Sequence, residues 1–184
     1  MKKGGGSNKG SQFEREICRT LSNWWTEDKD DSLFWRTHSS GARATTLHKK
    51  GKKLRGQVGD ICAIDGRGKK FIQAFTVSIK RGYKSVSMQD ILDKLETAKE
   101  PELSKWIKEC SEQSIQADSI GWLLIVRRNR KKTLVFLPGY MKSKLTSEYK
   151  KRLEVCKPRV AIVARIGEKR IMSIYCTTLD SFLK

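Results

Sequence analysis

Residues 59–65, Gly-Asp-Ile-Cys-Ala-Ile-Asp, and residues 71–80, Phe-Ile-Gln-Ala-Phe-Thr-Val-Ser-Ile-Lys, decide how this chain folds. The first is a short apolar run opened by Asp60. The second is a longer one closed by Lys80, and Gly66-Arg-Gly68 between them carries turn chemistry. The pattern predicts a β-hairpin. Its strand ends bring Asp60 and Lys80 to one point, so a carboxylate and an ammonium are expected side by side.

Upstream, Phe13, Ile17, Leu21 and Trp24 or Trp25 recur at helical spacing, which predicts an amphipathic helix over 12–25. Ser11 and Glu14 have the spacing of a capping box at its start. The acidic cluster Glu27–Asp31 ends the helix and leads into a short strand around 33–37. Residues 38–56 are polar and rich in Gly and Lys, and read as a loop. Residues 1–10 read as a flexible basic arm.

Downstream, Ser87 caps a predicted helix with Met88, Ile91, Leu92 and Leu95 on its inner face, and a second helix is expected over 101–112. Residues 121–126 and 133–137 form a hairpin around the basic turn Arg127–Lys132, whose cations are a candidate second phosphate contact. A helix over 141–154 and a last hairpin, 160–166 with 170–176, follow. The whole predicts an α/β fold, a mixed sheet flanked by helices. Residues 11–184 form one domain, with 11–137 as core and 140–184 as an added layer.

The charge restricts the partners. Thirty-nine Lys and Arg against 20 Asp and Glu leave a net charge of +19, which opposes compaction unless a polyanion neutralises it. Seven of the cations bunch in the stretch 36–55, between the first strand and Asp60: Arg36, Arg43, Lys49, Lys50, Lys52, Lys53 and Arg55. Contacts from such a loop to phosphates would be salt-sensitive and largely indifferent to base sequence. Five widely spaced cysteines form no C-x-x-C pair, so neither zinc nor a disulfide framework is indicated, and a reducing, cytosolic setting is expected. His38 and His48 lack a neighbouring ligand pattern. The five tryptophans follow helix or strand periodicity and are expected in the core. No run approaches membrane-spanning length, so a membrane role is not expected.

A polyanion, two carboxylates and a lysine together suggest phosphodiester hydrolysis. Carboxylates can hold a divalent cation, and a lysine can stabilise the developing charge. Four segments then carry a resemblance: Lys9-Gly-Ser-Gln-Phe-Glu14-Arg-Glu-Ile; Phe34-Trp-Arg36 with Ser39-Ser40-Gly41; Gly59-Asp60-Ile-Cys-Ala; and Phe75-Thr-Val-Ser78-Ile-Lys80. In this order they resemble the PD-(D/E)xK nucleases, and among these the archaeal-type Holliday junction resolvases. The span from Trp122 to Leu137 is similar to the hairpin that follows there.

The resemblance implies a restriction-endonuclease-like fold and an endonuclease of resolvase, phage or restriction type. It implies Mg2+ or Mn2+ held by Glu14, Asp60 and the carbonyl of Ile79, with Lys80 as the catalytic lysine. Arg36, His38, Ser40 and Arg43 would lie near DNA, possible substrates include branched DNA, and the enzyme would be a homodimer. One position departs: Ser78 stands where the family has Glu or Asp. Three explanations stay open. The serine is a substitution that inactivates the enzyme, or the carboxylate has migrated to the next helix, where Asp93 is better spaced than Asp90 or Glu96. The last is a non-catalytic nucleic-acid-binding module on a degenerate nuclease fold.

Overall fold

A computed structural model of the chain describes residues 5–37, 58–83, 86–87, 100–141, 160–166 and 170–183. Helix α1 spans Gly5–Thr26, followed by β1, Phe34–Arg36, and β2, Ile61–Ala63. A 3-10 turn at Gly66–Gly68 leads into the short helix α2, Lys69–Ala74, and then β3, Phe75–Arg81. Helix α3, Glu102–Ala117, precedes β4, Gly121–Arg127, and β5, Thr133–Pro138. The chain continues through β6, Val160–Ile166, and β7, Arg170–Thr178, to α4, Leu179–Phe182.

Among the described residues the main sheet has five strands in the order β3-β4-β5-β7-β6. β3 and β4 are parallel, joined by a connection that contains α3, and the other pairs are antiparallel. This is the expected mixed α/β sheet flanked by helices. β7 pairs with β5, so the C-terminal strands extend the same sheet.

Side-chain alternation divides the core into two layers. Val77, Ile79, Leu123, Ile125, Val135 and Leu137 point to one face, where Phe13, Ile17 and Leu21 of α1 pack with Phe34, Phe71 and Phe182. Trp122, Leu124, Val126 and Phe136 point to the other, against Leu103, Trp106, Ile107 and Cys110 of α3. β4 is buried on both faces from Gly121 to Val126, which explains its uninterrupted apolar sequence. α1 buries one stripe, Phe13, Ile17, Cys18 and Leu21, and stops where Glu27 and Asp28 turn left-handed at φ 55° and 60°.

Three expectations need correction. α1 begins at Gly5, so residues 5–10 of the expected arm are helical, and Ser11 lies inside the helix rather than capping it. The predicted β2–β3 hairpin does not form. β2 pairs with β1, Phe34 opposite Ala63, and residues 71–74 are helical. The reason is tertiary: Asp65 caps the 3-10 turn by accepting from the Arg67 N–H, and Arg67 also pairs with Asp30 at 2.7 Å. Gly68 is packed so closely that a Cβ there would meet Ala63 Cβ at 2.8 Å and Phe34 Cε1 at 2.9 Å. Finally, Trp35 is 43% exposed and is no core residue, while Trp106 and Trp122 are buried. The predicted helices around 88–95 and 141–154 lie outside the described residues.

Candidate nuclease site

The edge of β3 away from β4, which pairs with no strand among the described residues, is where the chemistry-bearing residues converge. Asp60 reaches that edge by a route the sequence did not suggest. Its backbone N–H donates to the Val77 carbonyl at 2.7 Å, and its Oδ2 accepts from the Ile79 N–H at 2.6 Å. Residues two apart along a strand repeat their backbone direction. The Ile79 carbonyl therefore lies along the same edge as the Ile79 N–H. Gly59 makes the approach possible. It has φ +88°, and a Cβ there would meet the Val77 carbonyl oxygen at 2.7 Å.

Two elements close in from either side. From α1, Glu14 stands against Arg36 of β1, with Arg36 Nε 2.9 Å from Glu14 Oε2. The contact is an ion pair without an aligned N–H···O bond, and both side chains are about three-quarters buried. From the opposite face, Lys80 meets Glu109 of α3 at 3.4 Å and lies 6.0 Å from the centre of the Trp106 ring. Ser78, two residues before Lys80, shares that face and is 4% exposed. Its hydroxyl lies close enough to the Asp60 carboxylate and to the Cys110 thiol to favour the ionised form of each.

Burial pushes the Asp60 carboxyl above the ordinary aspartate range. The Ile79 N–H, the charge of Lys80 and the Ser78 hydroxyl pull it down, and the charge of Glu14 pushes it up. A raised native value means that the folded protein holds this proton more tightly than the unfolded chain. Asp60 therefore favours folding below the ordinary carboxyl range, and that contribution is lost as pH rises through the raised value. Asp60→Asn keeps an oxygen to accept from Ile79 and carries no charge. In EDTA the variant should melt higher than the parent at neutral pH, with the gap closing as pH falls below the ordinary aspartate range. A variant that melts lower at neutral pH would show that the ionised carboxylate stabilises the fold.

The buried thiols are not reactive. Burial pushes the thiols of Cys18 and Cys110 up to about 12, and that of Cys176 to about 11, so none is a nucleophile at neutral pH.

The donors at the edge are oxygens, the chemistry preferred by Mg2+. Asp60 supplies a partly buried carboxylate that already feels the negative charge of Glu14, a place that favours a cation. Among the described residues no group of three or more His, Cys, Asp or Glu could hold a metal. The set suits an ion that binds one or two carboxylates and keeps several waters, as Mg2+ does.

Of the sequence-predicted site, the structure brings together Glu14, Arg36, Asp60, Ser78, Ile79 and Lys80. His38, Ser40, Arg43, Lys49, Lys50, Lys52, Lys53, Arg55 and Asp93 lie outside the described residues. Glu109 was missed, because nothing local marks a residue 29 positions from its lysine partner. Glu16, half exposed on α1, pairs with Arg127 at 2.7 Å. No helix among the described residues is long and apolar enough to cross a membrane.

Compared with known proteins, residues 5–184 match the family described as "Phage putative PDDEXK endonuclease". No curated protein and no solved structure matches the chain.

Proposed function

Because the chain belongs to that family of phage PDDEXK endonucleases, we propose that it is a metal-dependent endonuclease that hydrolyses DNA phosphodiesters at the edge of β3 away from β4. The observation that carries this reading is the Asp60 carboxylate, partly buried and held against β3, with Lys80 and Glu14 within electrostatic reach. Asp60, Glu14 and the Ile79 carbonyl would hold Mg2+ or Mn2+. When bound, such an ion polarises a phosphate oxygen and lowers the pKa of an attacking water.

The remaining residues orient and balance charge. The Ile79 N–H fixes Asp60, and together with the Ser78 hydroxyl it favours the ionised form. Lys80, anchored by Glu109, offers an ammonium to a phosphate at the strand end. Arg36 neutralises Glu14 in the absence of an ion and, on β1 beside Asp60, can contact the DNA backbone. The finer reading, preference for branched DNA and action as a homodimer, follows from the likeness of residues 9–137 to resolvases.

A second reading has its own support. Ser78 leaves the site one carboxylate short, and the Glu14–Arg36 pair already neutralises a second. Both suit a module that binds nucleic acid without cutting it. A thermal-shift titration with Mn2+ separates the two. The nuclease reading expects the parent's melting temperature to rise with Mn2+, as for any ligand that binds only the native state, and the rise to vanish in Asp60→Asn. A parent indifferent to Mn2+ favours the binding module.

A further inference from the structure

The β4–β5 hairpin ends in Arg127-Arg-Asn-Arg-Lys-Lys132, five cations in six residues with no acid. Its place in the fold gives it a role. β3 and β4 are parallel and in register, with Lys80 opposite Val126 and Arg81 opposite Arg127, and the Gly82 N–H donates to the Arg127 carbonyl. The hairpin tip therefore leaves the sheet at the same end as Lys80. It is displaced by one interstrand spacing, about 5 Å, and projects beyond the strand end by about 10 Å at most.

The base of this tip is firmly built. Arg81 and Arg127, cross-strand neighbours, both lie over the Phe13 ring, at 5.6 and 5.5 Å from its centre. Arg81 donates to the Lys9 carbonyl at 3.1 Å, Arg127 pairs with Glu16, and Arg128 donates to the Val86 carbonyl at 3.2 Å. Beyond them Arg130, Lys131 and Lys132 are exposed and make no ion pair among the described residues. A tip kept only for solubility is better served by mixed signs, since like charges this close repel.

We propose that this tip is a second phosphodiester-backbone subsite, which grips a flank of the nucleic acid about three base-pair steps from the Lys80 end. Its ligand is the sugar–phosphate backbone, bound without regard to sequence. The location relative to a scissile phosphate rests on the nuclease reading; the phosphate grip itself does not.

The test is a salt titration of duplex DNA binding in EDTA, comparing the parent with the double variant Lys131→Gln, Lys132→Gln. A second double variant, Lys69→Gln, Lys70→Gln, removes the same charge from exposed residues about 20 Å away at the other end of β3. Each phosphate contact contributes about 0.9 to the slope of log K against log salt. The hairpin variant should lose about 2 from that slope, and the α2 variant should lose little. Equal slopes in the parent and the hairpin variant, or equal losses in both variants, would overturn the proposal. Because no metal is present, a failed Mn2+ response in the parent would sink the nuclease reading while leaving this subsite standing.

Discussion

Changing Gly59 to proline, the residue that often precedes the aspartate in the PD motif, should disable the site rather than perfect it. Gly59 sits at φ +88°, and proline is locked near −65°. The backbone would have to turn through more than 100°, at the point where the Asp60 N–H and Oδ2 both bond to β3. Alanine is a milder version. It meets left-handed strain of about 1–3 kcal/mol, and its Cβ would approach the Val77 carbonyl oxygen at 2.7 Å. For a chain of 184 residues each kcal/mol moves the melting temperature by about 2–4 °C, so Gly59→Ala should melt several degrees lower, and Gly59→Pro lower still. Cleavage should fall further than stability, because a displacement of about 1 Å in a reacting group costs about 100-fold. Calorimetry beside a cleavage assay checks this. A proline variant that melts and cuts like the parent would refute the backbone argument.

Asp60→Asn should have the largest effect on cleavage. The substitution is nearly isosteric and leaves the Ile79 N–H an acceptor, so the fold is kept and, at neutral pH, relieved of a buried charge. The amide would hold a divalent cation far less well than the carboxylate. Losing the several kcal/mol of transition-state stabilisation that such an ion supplies corresponds to a rate loss of about 10²–10³-fold or more, at 1.36 kcal/mol per factor of ten. DNA binding in EDTA should change little, since the variant removes a negative charge and no phosphate-binding cation. More stable, still binding and unable to cut is a combination that a purely structural aspartate would not give.

How much of this was legible in the sequence depends on how local each signal is. The buried stripe of α1 and the β4–β5 and β6–β7 hairpins follow from period and turn residues alone, and the structure has them. The start of α1 was misplaced because Ser11 and Glu14 imitate a capping box, whereas Glu14 is held by Arg36 from another element. The β2–β3 hairpin was misread because Gly66-Arg-Gly68 has turn chemistry in either arrangement. What decides is the packing of Gly68 on Phe34 and Ala63, invisible to a local window.

The same distinction holds at the site. Asp60, Lys80 and the anomaly at Ser78 were legible because a motif orders them. Glu109 and the Glu16–Arg127 pair were not, because only the fold joins residues 29 and 111 positions apart. Arg130, Lys131 and Lys132 were legible as charge. The parallel register of β3 and β4 is what sets them beside Lys80.

The most direct test of the central claim is cleavage of supercoiled plasmid and of branched and linear DNA with Mn2+, using the parent and Asp60→Asn side by side. The account predicts that the parent cuts in Mn2+ and not in EDTA, and that Asp60→Asn binds equally well and does not cut. Equal cutting by both proteins, or binding without any cutting by the parent, would contradict it.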